Sequence, residues 1–241
     1  LAESLYWIAV GRRHRQPVRI EPVIAEMMEI GVRAIPICAL LLFTVGLMLA
    51  IQGLHTLETF GAETKLVPLV ALSITREFAP LIVGILVAGR SGSALAARIG
   101  TMQVSQEIDA LRVIGVNPVR YLVAPSLVAM LIMLPVLTVL ADGIGLFASY
   151  VGINTQGVTT MALFVNNVLG NLTFGDVLPA FIKTFFFGFA IGLIGCYKGY
   201  YADKGTEGVG QAANSAVVVS SLVVFILDLL AVQITGLLGI N

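Results

Sequence analysis

The stretch "LVPLVALSITREFAPLIVGILVA", residues 66–88, decides the fold class. Its 23 residues match the ~20 predominantly apolar residues with which an α-helix crosses ~30 Å of hydrocarbon. It nevertheless carries Arg76 and Glu77 near its middle. A charge at that depth costs about 2.5–3.5 kcal/mol on insertion scales, so such side chains normally face protein or a water-filled cavity. The stretch therefore predicts a membrane-spanning helix with a polar feature built into it.

The whole chain has the composition of a membrane protein. Of its 241 residues, 58% are hydrophobic and 12% are charged, whereas a soluble domain carries roughly 25% charged residues. The net charge is zero, which predicts no nucleic-acid partner. Lipid-exposed backbone must satisfy its hydrogen bonds within its own segment, so the long apolar stretches should be helices. We predict an all-α integral membrane protein, a single domain over residues 1–241, with five spans at 34–54, 66–88, 121–141, 177–196 and 216–238.

Residues 20–36, "IEPVIAEMMEIGVRAIP", mix apolar side chains with three glutamates and are too polar to span. They predict an amphipathic helix at the interface, within a cytoplasmic segment 1–33. Eleven of the 14 lysines and arginines precede the first span or lie in the second or fourth loop, against one, Lys65, in the other two loops. Because positive charge collects on the cytoplasmic side, we expect a cytoplasmic N-terminus and a periplasmic C-terminus.

Four charges fall inside predicted spans: Arg76, Glu77, Lys183 and Asp228. Adjacent helical residues point roughly 100° apart, so Arg76 and Glu77 should face different neighbours. Two interpretations remain open. The four charges could pair only to hold helices together, or they could line a cavity in which an arginine fork binds a lipid phosphate. Phe78, Leu49 and Phe60 could then supply apolar walls for acyl chains.

No motif for chemistry stands out. "GILVAGRS", residues 84–91, has the spacing of a phosphate-binding loop, but it closes an apolar helix and has arginine in place of the lysine. The two histidines stand alone, so neither a catalytic triad nor a metal site is indicated. Cys38 and Cys196 lie in apolar runs and are interpreted as small buried side chains. The sequence predicts no enzyme activity, metal or cofactor in this chain.

The loop over residues 89–120 has a helix-compatible middle. Ile108 and Leu111 fall at helical spacing, and Glu107, Asp109 and Arg112 supply charge. Gly115, followed by Asn117 and Pro118, should stop this helix. A short helix outside the bilayer is either a solvated surface element or a place that receives force from a soluble partner.

Here the chain resembles a known family. "TREFAPLIVGILVAGRSGSALAARIGTM" at 75–102, "EIDALRVIGVNPVRYLVAP" at 107–125 and the following Leu134-Pro135 are similar to the signature region of the MlaE/YrbE permeases, the membrane subunits of ABC lipid transporters that work with MCE proteins. Glu107, Ala110 and Gly115 also resemble the loop by which importer permeases dock their ATPases. Arg98 departs from the family pattern, which has an acidic residue there, so no salt bridge can be carried over to that position.

The resemblance implies a homodimer in the bacterial inner membrane that moves phospholipid between this membrane and a periplasmic MCE protein, maintaining outer-membrane lipid asymmetry. The implied partners are a cytoplasmic ABC ATPase (MlaF-like), which would hold ATP and magnesium, a STAS-domain protein (MlaB-like) and an MCE hexamer (MlaD-like). Arg76 and Glu77 would lie beside the lipid pocket. The ATPase would dock on a coupling helix that carries Glu107, Asp109, Leu111, Arg112 and Gly115.

Two other functions remain possible from the residues. The chain could be a proton-coupled secondary transporter of an amphipathic substrate, with Glu77 or Asp228 carrying the proton. It could also be a structural anchor for other subunits, although the buried charges would then have no purpose. Neither the direction of transport nor the lipid species can be predicted.

Overall fold

The computed structural model describes residues 20–155, 157 and 159–237, and this part of the chain is helical and contains no β-strand. Five helices are long and apolar enough to cross a membrane: Glu21–Thr59, Glu63–Val104, Val119–Asn154, Phe174–Tyr200 and Thr206–Leu237. The predicted class, an all-α membrane protein with five spans, is confirmed. Of the predicted cytoplasmic segment, residues 1–19 lie outside the described residues.

Ten α-helices follow one another along the described chain. They are α1 (Ile20–Ile30), α2 (Ile35–Thr59), α3 (Leu66–Ser73), α4 (Ala79–Val87), α5 (Ser93–Val104), α6 (Glu107–Val113), α7 (Ala124–Asn154), α8 (Met161–Asn171), α9 (Phe174–Tyr200) and α10 (Thr206–Leu237). The predicted interfacial segment forms α1. Its exposed apolar side chains Ile24 and Met28, with Val32 just beyond, are four residues apart and share one face.

The second long helix runs well past the predicted end of its span at residue 88. It continues through α3, α4 and α5 to Val104, and two π-helical turns, Ile74–Phe78 and Ala88–Gly92, interrupt its α-helical geometry. Its 42 residues are about twice the ~20 residues with which a helix crosses a hydrocarbon core. Hydropathy identifies only the part of this helix that lies in hydrocarbon. The residues "SALAAR" after the apolar run are rich in helix formers, so the helix continues through them.

The third long helix also exceeds its predicted span. After the π-helical turn Val119–Val123, α7 passes Pro135 and continues to Asn154, so that Asp142 lies inside a helix rather than in the predicted loop. The short helix α8 follows. Its Phe164 is buried, and the Phe164 ring lies 5.6 Å from the Tyr150 ring at the end of α7.

The internal contacts of the chain divide it into two compact units. Of the described residues, the first unit comprises 20–34, Gly84–Leu134 and Phe185–Leu227. Its helices approach closely along a glycine face of α9. A Cβ on Gly188 would lie 2.7 Å from the Met130 carbonyl oxygen, and one on Gly199 would lie 2.5 Å from the Ala96 carbonyl oxygen. The small residues of α9 therefore let two neighbouring segments pack backbone to backbone.

Of the described residues, the second unit comprises those within Ile35–Val83, Pro135–Thr184 and 228–237. Here α2 packs on α7 through small residues, and a Cβ on Gly46 would lie 2.3 Å from the Gly145 carbonyl oxygen. Cys38 in this unit and Cys196 in the first unit are both buried and free, as the sequence predicts. Every residue of the charged pocket described next belongs to this second unit.

Candidate functional site

Arg76 and Glu77 lie in the π-helical turn Ile74–Phe78 of the second long helix. Single π-helical turns within α-helices are frequent at functional sites. The two side chains face different partners, as their adjacency in a helix predicts. The Arg76 Nη2 group donates a hydrogen bond to Asp176 Oδ1, and the Glu77 carboxylate pairs with Lys183.

The carboxylate of Asp176 is held from two sides. Its Oδ1 accepts from Arg76, while its Oδ2 accepts from the Thr173 backbone N–H at 2.8 Å and from the Thr173 hydroxyl at 2.7 Å. Thr173 precedes α9, and Asp176 is the third residue of this helix, so the pair caps its N-terminus. A carboxylate is favourable there because the helix dipole is positive at this end. The cap thus fixes the carboxylate that orients Arg76.

Lys183 is the centre of the second set of charges. Its side chain is only 6% exposed, and Nζ lies 3.1 Å from Glu77 Oε2 and 2.8 Å from Asp228 Oδ1. Asp228 is 13% exposed, whereas Glu77 is 42% exposed. A buried lysine with two carboxylates connects three helical segments of the unit: the π-helical turn, α9 and the end of α10. The four charges singled out in the sequence are thus each engaged in an ion pair, with Asp176 as an additional member.

These pairs border a cavity of about 180 Å³. Its charged lining consists of Arg76, Glu77, Asp176 and Lys183. The remaining wall is small or apolar, with one hydroxyl, and is formed by Gly175, Pro179, Ala180, Ala231, Val232, Thr235 and Gly236. The cavity presents both signs of charge beside an apolar wall, which is the arrangement that an amphipathic molecule with a polar headgroup requires.

The apolar residues chosen from the sequence are not in this wall. Leu49 and Phe78 are half-buried and do not line the cavity. Phe60 is 78% exposed, at the turn after α2. Asp228 does not line the cavity and reaches it only through Lys183. The walls are formed instead by the first turns of α9 and the last turns of α10, which the sequence does not single out.

Two acidic residues escaped the sequence-based selection because each lies just outside a predicted span. Asp176 immediately precedes the span 177–196, although "TFGD" at 173–176 carries the Thr-x-x-Asp spacing of a helix N-cap, which could have identified it. Asp142 follows the span 121–141, and its Oδ1 is buried without a hydrogen-bond partner among the described residues.

The short helix predicted within the loop 89–120 is present as α6, Glu107–Val113. Ile108 anchors it with a fully buried side chain, and Leu111 is half-buried. Glu107, Asp109 and Arg112 are exposed on it. The predicted stop is present, because Gly115 adopts φ +83° and the next N–H bonds back to the Leu111 carbonyl oxygen at 2.9 Å, closing the helix in a Schellman motif.

The outer end of this helix is unusually apolar for an exposed turn. Val113 is 87% exposed and Ile114 is 76% exposed. Arg112 is held beside them by Asp109 at 2.8 Å and by a hydrogen bond to the Tyr200 hydroxyl at the end of α9. A rigid helix end with two exposed aliphatic side chains and neighbouring charges has the composition of a protein-docking surface.

Comparison with known proteins places the chain in a family. The family described as Permease MlaE matches residues 23–234. "Probable ABC transporter permease protein RT0041" of Rickettsia typhi is 36% identical over 229 residues, which are 95% of this chain and 88% of the relative. The intermembrane phospholipid transport system permease protein MlaE of Haemophilus influenzae is 37% identical over 216 residues, 88% of this chain and 82% of the relative.

A plant protein is similar as well. The chloroplastic protein TRIGALACTOSYLDIACYLGLYCEROL 1 of Arabidopsis thaliana is 34% identical over 203 residues, 84% of this chain and 58% of that protein. The family match covers most of the chain, including α6 and the four charged residues that line the pocket. The chain therefore belongs to the MlaE permease family.

Proposed function

We propose that this chain is the permease subunit of an ABC transporter that moves phospholipid between the bacterial inner membrane and a periplasmic MCE protein, and so maintains outer-membrane lipid asymmetry. Family membership and the name of the Haemophilus influenzae relative support lipid transport. The observation that carries the proposal is the charged cavity, formed by ion-paired side chains of helices that are apolar enough to span a membrane.

The cavity fits a headgroup rather than a whole lipid. Its volume of about 180 Å³ is below the ~300–1,000 Å³ of sites that take a whole drug-sized ligand. A guanidinium has five N–H donors in a plane, so Arg76 can hold Asp176 and a phosphate oxygen together. Glu77, half-exposed beside it, can accept from an ammonium or hydroxyl group of the same headgroup. Lys183 and Asp228 would then act behind Glu77, holding its carboxylate in place.

The acyl chains need apolar surface outside this cavity. Phe174 and Leu178, on the first turns of α9 near the cavity, are 78% and 41% exposed. In the proposal these side chains contact acyl chains. A second copy of the chain completes the chamber, because one copy encloses room for a headgroup only.

Energy would come from a separate ATPase, which fits a permease subunit that is not itself an enzyme. The proposed docking element is α6 together with the Gly115 turn, where exposed Val113 and Ile114 would fill an apolar groove of an MlaF-like ATPase. Glu107, Asp109 and Arg112 would set the register by charge. ATP and magnesium would bind to that partner. Movement of α6 would change the shape of the lipid chamber.

The remaining assembly follows the family pattern. We propose an MlaB-like STAS-domain protein on the ATPase and an MlaD-like MCE hexamer on the periplasmic side. The N-terminus is proposed to be cytoplasmic and the C-terminus periplasmic, from the distribution of lysine and arginine in the loops.

Reconstitution with the ATPase in vesicles, and with a soluble MCE acceptor, tests this function. Transfer of a fluorescent phospholipid should require hydrolysable ATP and should stop with a non-hydrolysable analogue. If transfer instead followed an imposed pH gradient and ignored ATP, the chain would be a proton-coupled transporter and the proposal would be wrong.

A further inference from the structure

A second cavity lies in the first unit, between α1 on one side and the Ala88–Gly92 turn with the start of α5 on the other. Its volume is about 420 Å³, within the ~300–1,000 Å³ of small-molecule sites. Nine residues line it: Ala25, Glu26, Glu29, Ile30, Arg90, Ser91, Ala94, Leu95 and Arg98. We call it the α1–α5 cavity. It shares no residue with the charged pocket described above.

Among the charged side chains that line the α1–α5 cavity, Arg90 has no ion-pair partner among the described residues. Glu26 Oε1 lies 2.5 Å from Arg98 Nη2, and Glu29 Oε2 lies 2.5 Å from Nη1 of Arg33. Both glutamates are thus paired with arginines other than Arg90. Arg90 is half-buried and donates only one long hydrogen bond, 3.3 Å, to the Glu29 backbone oxygen, with no carboxylate partner among the described residues. The lining itself is neutral, with two glutamates and two arginines, but because Glu29 pairs with Arg33, the Arg90 guanidinium keeps N–H donors that no carboxylate of the described residues occupies.

The Arg90 guanidinium shares the cavity with apolar side chains. Ile30 and Leu95 line the cavity with side chains that are 3% and 4% exposed. On the outer face of α1, Ile24 and Met28 are more than half exposed, as in a helix that lies in the headgroup region with its apolar face toward acyl chains. An anion with hydrocarbon attached meets both requirements, because the guanidinium takes the anion and the aliphatic side chains take the carbon.

We propose that the α1–α5 cavity binds the phosphate of a membrane phospholipid, with Arg90 as its ligand and with Arg98 held in place by Glu26. The lipid sits at the membrane–water interface, with its glycerol against Ile30 and Leu95. The Arg98 guanidinium pairs with Glu26 of α1 and donates a hydrogen bond to the Ser126 hydroxyl at 3.3 Å, which fixes its position at the site. The proposal does not depend on the transport function.

Photo-crosslinking of the purified full-length chain in detergent tests the site. The probe is a phosphatidylglycerol with a diazirine near the glycerol on one acyl chain, and cross-linked peptides are mapped by mass spectrometry. Labelling within residues 20–33 and 89–98 is expected. Arg90→Gln should lower it about tenfold, the loss expected for one charge-assisted hydrogen bond to a phosphate. The matched control, Lys204→Gln, removes one positive charge from an exposed side chain and should leave labelling unchanged.

Two further experiments distinguish a phospholipid from a neutral lipid and from a free anion. A diacylglycerol with the same diazirine lacks the phosphate and should label these peptides weakly, and equal labelling by it would show a merely apolar groove and overturn the proposal. Excess inorganic phosphate should leave labelling by phosphatidylglycerol in place, and its abolition would identify a free-anion site instead. Unchanged labelling in Arg90→Gln would also refute the assignment. Labelling of residues 174–184 reports the charged pocket separately, so the two sites can fail independently.

Discussion

Replacing Lys183 with methionine should destabilise the protein strongly, since this one side chain neutralises two carboxylates. Lys183 is 6% exposed and lies 2.8 Å from Asp228, which is itself 13% exposed. Removing one partner of a buried ion pair costs about 3–5 kcal/mol, because the other charge stays buried without compensation. Glu77 adds little to this loss, since it is 42% exposed and solvent screens its charge. We therefore expect about 3 kcal/mol, at the lower end of the range.

In a chain of this size each kcal/mol shifts the midpoint of thermal unfolding by about 2–4 °C, so Lys183→Met should lower it by roughly 6–12 °C. The assay is size-exclusion chromatography of detergent-solubilised protein after heating, with Lys204→Met as the control at an exposed lysine. Adding Glu77→Gln and Asp228→Asn removes the unpaired charges, so this triple variant should recover most of the loss. A Lys183→Met midpoint equal to that of the control, or a triple variant no more stable than the single one, would refute the electrostatic reasoning.

Two further predictions concern packing and docking. Gly199→Ala should destabilise the protein by about 1–3 kcal/mol, because its Cβ would lie 2.5 Å from a backbone oxygen. The control, Gly210→Ala, has open space around its Cβ and should be neutral or slightly stabilising in the same heating assay. Replacing both Glu107 and Asp109 with lysine should weaken co-purification of the ATPase. The same replacement at the exposed Glu207 on α10 should not. Undiminished co-purification of the double variant would count against docking on α6.

The sequence predicted which parts of the chain enter the membrane better than where its helices end. Hydropathy reports burial in hydrocarbon, and a helix does not stop when it leaves hydrocarbon. The second long helix therefore continues beyond residue 88 to Val104, and α7 continues beyond residue 141 to Asn154. The stop of α6 was predictable because it depends on local chemistry, a glycine at the left-handed position.

The candidate site was likewise predictable only in part. Charges inside apolar runs are costly, so the sequence alone could identify Arg76, Glu77, Lys183 and Asp228 as a cluster. The apolar walls could not be identified, because a helix that is apolar on every side gives no indication of which face meets a cavity, as Leu49 and Phe78 show. Asp176 was missed because its role depends on α9 beginning at Phe174, before the apolar run starts.

The most direct test of the central claim is ATP-driven transfer of phospholipid by the reconstituted transporter when Arg76→Gln and Glu77→Gln are combined. The double variant removes one charge of each sign from the cavity and leaves the net charge unchanged. Lipid transfer should be lost while the ATPase still co-purifies and hydrolyses ATP. Transfer at the wild-type rate by this variant would show that the cavity beside Arg76 does not hold the lipid.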